Sequence, residues 1–131
     1  MRALDVDDLA GWLAEGCKPE ARWRIGTEHE KIGFLADSLR PLPYDGERSV
    51  RRILELMAGI TGWEIVREDG LPIALADPHS PASVTLEPGG QLELSGAPLA
   101  SLFDTCRETT DHLELLSEIS RRLRTGFLSL G

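Results

Sequence analysis

The sequence predicts an α/β fold of the α+β kind, strands and hairpins interspersed with helices, on three observations. Runs of alternating, strand-like character are joined in two places by tight glycine-bearing turns, Asp69-Gly70 and Pro88-Gly89-Gly90. Three other stretches carry apolar residues at helical spacing. Finally, 131 residues with 41% hydrophobic content suffice for one two-layer core, but not for a catalytic domain with separate cofactor and substrate lobes.

From the amino terminus, Asp5 or Asp7 caps a short helix whose apolar face carries Leu9, Trp12 and Leu13, and Gly16 suits its end. Arg22 to Lys31 then alternates like a strand and continues through Ile32 and Phe34. Side chains alternate across a strand, so Glu28 and Glu30 share one face while His29 points the opposite way. Ile32 and Phe34 have the parity of the two acids, which means either a bulge beyond Glu30 or an apolar floor beside the acidic pair. Pro41, Pro43 and Asp45-Gly46 mark a loop before a helix from about Glu47 to Gly59, with Val50, Ile53, Leu54 and Met57 on its buried side. Trp63 to Arg67 and Leu71 to Leu75 form a hairpin, its turn residues tolerant of positive φ. Ser83 to Glu87 enters the Pro88-Gly89-Gly90 turn and Gln91 to Ser95 leaves it. A long helix from near Leu99 to Arg124 is expected to bury Leu102, Phe103, Cys106, Leu113, Leu116 and Leu123. Phe127 to Leu130 resumes strand character just before Gly131, as in a sheet cut short. The expectation is an incomplete domain whose exposed sheet edges favour self-association.

Composition narrows the partners. A net charge of -8 with no basic stripe argues against a nucleic acid, and Arg121, Arg122 and Arg124 read as the solvated last turn of a helix. No apolar run approaches the length of a membrane span, and the first residues lack the layout of a signal peptide, so a soluble cytoplasmic protein is expected. Cys17 and Cys106 are too far apart for a metal knuckle or a redox pair and are expected as free thiols.

Two constellations carry chemistry. Glu28 and Glu30 place carboxylates about 7 Å apart along one strand face, a separation that hard cations bridge through oxygen ligands and water. Thr85 and Glu87 share a face before the glycine turn, as do Gln91, Glu93 and Ser95 after it. Crowded carboxylates are costly without a counterion, and Mg²⁺ offsets their repulsion while giving a phosphate reason to enter. Paired acids also simply face water, and Pro-Gly-Gly also serves as a plain turn; spacing alone leaves both open. The glycine run lacks the strand-to-helix setting of a dinucleotide fingerprint and the Lys-Ser/Thr ending of a P-loop, and suits close approach to a small ligand. His29 is not in the HxxxH or HxxE pattern of a zinc site and reads as a structural imidazole, while His79, in a loop, and His112, on the long helix, could each approach a ligand but neither is specific.

Arg24-Ile25-Gly26-Thr27-Glu28-His29-Glu30-Lys31, followed by Ile32-Gly33-Phe34, resembles the opening active-site strand of the plant and proteobacterial type of glutamate-cysteine ligase. Thr85 to Leu99, with Glu87-Pro88-Gly89-Gly90-Gln91-Leu92-Glu93-Leu94-Ser95 at its centre, resembles that family's second signature, and Gly126 to Gly131 its next strand. Phe103 stands where the family pattern often has histidine. The resemblance covers nearly all of the chain and makes residues 1-131 the amino-terminal part of a catalytic domain. It implies a strongly curved, mainly antiparallel sheet with helices packed outside, similar to the glutamine synthetase and guanido-kinase group. It also implies ATP-dependent joining of L-glutamate to L-cysteine through a γ-glutamyl phosphate, the first step toward glutathione. Under it, Glu28, Glu30, Glu87 and Glu93 would hold Mg²⁺ near the nucleotide, and Gly89, Gly90, Gln91 and Ser95 would shape the glutamate pocket. The isolated chain is expected to be inactive. An interaction or regulatory domain that keeps the motifs without catalysis is the alternative from a different class, and a bare metal-binding module a third.

Overall fold

The computed structural model describes residues 3–129. In chain order its elements are α1 (Val6–Glu15), β1 (Glu28–Leu35), α2 (Val50–Thr61), β2 (Glu64–Glu68), β3 (Leu71–Ala76), β4 (Ser83–Glu87), β5 (Gln91–Ser95), α3 (Leu102–Leu123) and β6 (Thr125–Leu128), with short 3-10 turns at Glu20–Arg22 and Pro88–Gly90. The strands form one open sheet in the order β2-β3-β4-β5-β1-β6. Every neighbouring pair is antiparallel, as expected, and β2 and β6 are the edges. Leu130 and Gly131, with which the sequence reading ended the last strand, lie outside the described residues.

Local chemistry moves several boundaries. Ser49, not Glu47, starts α2: its hydroxyl accepts the Arg52 N–H at 3.2 Å and donates to the Gly46 carbonyl at 2.7 Å. The helix passes Gly59 and stops at Gly62, which takes the left-handed conformation with φ 76°. β1 begins at Glu28 rather than Arg22. Upstream, Ile25 and Leu99 exchange two 2.8 Å backbone hydrogen bonds as an isolated bridge. Between this bridge and the Glu28–Ser95 pair the two stretches slip by one residue, which interrupts the ladder. Arg48 ties the carboxyl end of α3 to the β1 turn. Its guanidinium donates to the Leu123 carbonyl at 2.9 Å, the Arg124 carbonyl at 2.6 Å and the Asp37 carboxylate at 2.6 Å.

The helices α2 and α3 cover one face of the sheet. Val50, Ile53, Leu54 and Met57 of α2, with Leu116 and Ile119 of α3, close on Leu75, Val84, Leu92 and Leu94. The register aligns Leu75, Val84, Leu94 and His29 in one row, so the helix face of β1 carries His29 and Lys31.

Two helical expectations need correction. α3 buries His112, Leu116 and Ile119, with Leu123 packed at the margin, whereas Leu102, Leu113, Cys106 and Phe103, the last 84% exposed, stand outside. In the amino-terminal half of this helix the apolar residues lie on a face turned away from the sheet, while the face continuous with Leu116 and Ile119 carries Thr105, Glu108 and His112. α1 has the expected cap, Asp5 accepting the Asp8 N–H at 2.9 Å. It buries none of its residues, and Trp12 is 73% exposed.

Three basic groups are enclosed on the helix side. Lys31 is only 1% exposed; its ammonium lies 2.7 Å from His29 Nδ1 and donates to the His29 carbonyl. Burial brings its pKa down to about 8, against the opposing pull of Glu93. Burial, reinforced by Lys31 and His29, holds the His112 imidazole down to about 3. Acid therefore destabilises the fold. Between about 6.5 and about 3 the unfolded chain takes a proton on His112 that the folded chain refuses, so stability is complete above that window and falls as pH drops through it. The limiting slope is about 1.4 kcal/mol per pH unit. Melting temperatures measured from pH 7 to pH 5 should fall in the parent and fall less in His112→Leu, with His29, also lowered by burial, supplying the remainder. Identical slopes in both proteins would contradict this assignment.

Candidate active-site face

Three rungs of side chains cross β4, β5 and β1 on the face turned away from α2 and α3. Ser83, Ser95 and Glu28 form one; Thr85, Glu93 and Glu30 the next; Glu87, Gln91 and Ile32 the third. All four glutamates singled out as cation ligands thus share a face with Gln91 and Ser95. Directly opposed residues of antiparallel strands have Cβ atoms about 5 Å apart, so Glu30 and Glu93 are immediate neighbours and carry like charge. Glu93 is 9% exposed, while Glu28 and Glu30 are open to solvent. The Ser95 hydroxyl donates to Glu93 Oε1 at 2.8 Å, and the Thr85 hydroxyl to Glu87 Oε1 at 3.0 Å. Each hydroxyl orients its acid from two residues away on the same strand.

The β1–β5 register runs without a shift from Glu28 to Ile32, so no bulge follows Glu30. Ile32 and Phe34 are the apolar floor beside the acids. Phe34 lies over Gly126, where a Cβ would collide with its ring.

At the end of this face, Gly89 and Gly90 turn the chain from β4 to β5 with φ of 81° and 82°. Both are exposed, and a Cβ on either would meet nothing within 4 Å. The turn requires left-handed backbone at two successive positions and leaves the space around it clear. His29 does lie on the other face, as its parity required. His112 is enclosed on the helix side, and His79 sits in an exposed loop with its N–H bonded to Asp77 at 2.9 Å. Sequence reasoning missed Ser83 as the end of the first rung and Lys31 as a buried cation; alternation puts Ser83 on the face of Thr85 and Glu87 and Lys31 on that of His29, but the rung and the burial come from tertiary register and packing.

The donors on this face are carboxylate and hydroxyl oxygens, which suit a hard cation. Among the described residues no three His, Cys, Asp or Glu side chains converge into a metal cage. Mg²⁺ does not need one: it takes one or two carboxylates and completes its octahedron with water and phosphate oxygens. The Glu30 and Glu93 pair fits that requirement, with Glu28 and Glu87 on the adjoining rungs.

Comparison with known proteins gives a consistent picture. The model of the family described as glutamate-cysteine ligase family 2 matches residues 24–131, which include all three rungs and the glycine turn. The chain is 44% identical over 128 residues to glutamate-cysteine ligase A, chloroplastic, of Oryza sativa subsp. japonica, covering 98% of this chain and 25% of that protein. It is 45% identical over 131 residues to the chloroplastic glutamate-cysteine ligase of Solanum lycopersicum, covering 98% and 24%. With the chloroplastic enzyme of Arabidopsis thaliana it shares 44% identity over 131 residues, again covering 98% and 24%. The chain spans about a quarter of the length of these curated relatives.

Their names overturn the cytoplasmic expectation, since they point to a plastid. Among the described residues no helix is long and apolar enough to cross a membrane. That observation does not report compartment, because organelle leaders are amphipathic and rich in Ser and Arg rather than apolar.

The glycine turn is directly testable. Gly89→Ala and Gly90→Ala should each lower unfolding free energy by about 1–2 kcal/mol in urea titrations, a conformational cost without a clash. Gly59→Ala, inside α2 with open space around it, should instead be stabilising. Unchanged stability in both turn variants would contradict the strained geometry.

Proposed function

The chain belongs to glutamate-cysteine ligase family 2, and on that premise we propose that it is the amino-terminal part of a catalytic domain joining L-glutamate to L-cysteine at the expense of ATP. The observation that carries the reading is the Thr85–Glu93–Glu30 rung, with Glu28 and Glu87 beside it on a face the helices leave uncovered. In this proposal Glu28, Glu30, Glu87 and Glu93 hold the cation, and Gly89, Gly90, Gln91 and Ser95 shape the glutamate pocket. Mg²⁺ bound here would neutralise the triphosphate and orient it for in-line transfer.

The γ-phosphoryl group of ATP passes to a γ-carboxylate oxygen of glutamate, and ADP leaves. The cysteine amine then attacks the acyl carbon: a C–N bond forms, the C–O bond to phosphate breaks, and the amine loses a proton. The product is γ-glutamylcysteine, the first intermediate toward glutathione. An acyl phosphate is lost to hydrolysis unless water is excluded. Glu28 and Glu30 are exposed, so the proposal assigns the covering wall to the further length that the relatives possess.

Two experiments test this. In a protein carrying the family's remaining sequence, Glu30→Gln and Glu93→Gln should each lower product formation by about a hundredfold or more. Far-UV circular dichroism should be unchanged and the Mg²⁺ requirement raised, while His29→Gln should lose much less. Parental rates and parental Mg²⁺ dependence in both glutamine variants would refute the ligand assignment. The 131-residue chain alone should form no γ-glutamylcysteine with ATP and Mg²⁺; sustained turnover by the pure chain would refute the view that it is one part of the catalytic domain.

A further inference from the structure

Just beyond Ser95 the sheet carries an irregularity that lies against α3. The Gly96 N–H donates to the Thr27 carbonyl at 2.6 Å, in the register that pairs Glu28 with Ser95. Past that bond the two stretches slip, so that Gly26 alone stands opposite Ala97 and Pro98 before Ile25 meets Leu99. A slip leaves the extra residue without a ladder partner, and Ala97 is only 8% exposed, so its N–H needs an acceptor from elsewhere. Glu108 of α3 supplies it, Oε1 accepting the Ala97 N–H at 2.8 Å.

The other oxygen of the same carboxylate packs against Gly96, in the space that a Cβ there would take, and the Thr27 carbonyl lies 3.2 Å from that same point. Gly96 is thus required for room rather than for backbone conformation. Glu108 Oε2 is buried without a hydrogen-bond partner, a cost that one bond to Ala97 does not explain by itself. What the contact holds in place is the end of the acidic face. Ser95, next to Gly96, stands opposite Glu28 and gives its hydroxyl to Glu93 Oε1 at 2.8 Å. Thr27, to which Gly96 is bonded, is next to Glu28.

We propose that Glu108 is a positioning residue for the cation site: by closing the slip at Gly96 and Ala97 from the helix side, it sets the placement of Ser95 against Glu28 and so the aim of Glu93 and Glu28 at one ion. It acts through the backbone and the Ser95 hydroxyl, from the opposite side of the sheet, and touches neither ion nor substrate. Groups that orient a ligand in this way govern metal affinity without contacting the metal. The proposal rests on the reading of the open face as a cation site and adds α3 to what supports it.

The test is the Mn²⁺ concentration that half-broadens the amides of Glu28, Glu30 and Glu93 in the ¹⁵N-labelled chain, measured beside urea midpoints. Glu108→Leu removes the acceptor and should weaken Mn²⁺ binding about tenfold. Glu108→Gln loses the same charge but keeps an oxygen for the Ala97 N–H, and should restore most of that loss. Gly96→Ala pushes the carboxylate off its seat and should weaken binding as Glu108→Leu does, with the double variant no weaker than either. Native-like shift dispersion certifies each fold, and Gly96→Ala carries the test should Glu108→Leu not fold. A merely structural contact would lower the urea midpoints and leave Mn²⁺ affinity at the parent's value. That result, a glutamine variant as weak as the leucine one, or additive losses in the double variant would overturn the proposal while leaving the cation site standing. A parent whose Glu28, Glu30 and Glu93 amides do not broaden would remove the cation site itself, and the proposal with it.

Discussion

The register between β1 and β5 is the constraint on which the rest depends. Glu30 stands opposite Glu93, and each neighbour along these strands alternates between the helix side and the open side. A slip of one residue would turn Leu92 and Leu94 out of the core and Glu93 into it, losing about 3–6 kcal/mol of apolar burial before any charge is counted. The core thus enforces a placement that the acids alone would resist, because like charges directly opposed are destabilising. Packing on one face holds the carboxylates together on the other.

The two faces communicate through charge. Lys31 is buried beneath the sheet and interacts with Glu93 on its far side, which opposes the loss of its proton. His29 and His112 share that enclosure, and both are pushed toward their neutral forms by burial and by Lys31. One buried ammonium among neutral imidazoles, below a row of acids, is an arrangement in which the sheet itself is the insulating layer.

How much of this could be read from the chain depends on the kind of signal. β4, β5 and the turn between them were legible to the residue, since strict alternation and two successive glycines admit few other readings. The shared face of Glu28 and Glu30 followed from parity, and the buried side of α2 from its single apolar stripe. α3 was misjudged because the apolar residues of its amino-terminal half, Leu102, Phe103, Cys106 and Leu113, lie on a face turned away from the sheet, and periodicity does not say which face a sheet will cover. The cross-strand pairing of Glu30 with Glu93 was likewise invisible, since register is a tertiary fact. Glu108 and His112 gave no signal, because their burial depends on where α3 crosses the strands.

The central claim is that the open face of β4, β5 and β1 is where a hard cation collects. Paramagnetic broadening of the ¹⁵N-labelled chain by substoichiometric Mn²⁺ tests it most directly. The account predicts broadening centred on the amides of Glu28, Glu30, Gln91 and Glu93, falling off across the sheet toward α2. Broadening centred instead on the exposed acids of β2, or on Asp111 and Glu118 of α3, with the Glu30 and Glu93 amides unaffected, would contradict it.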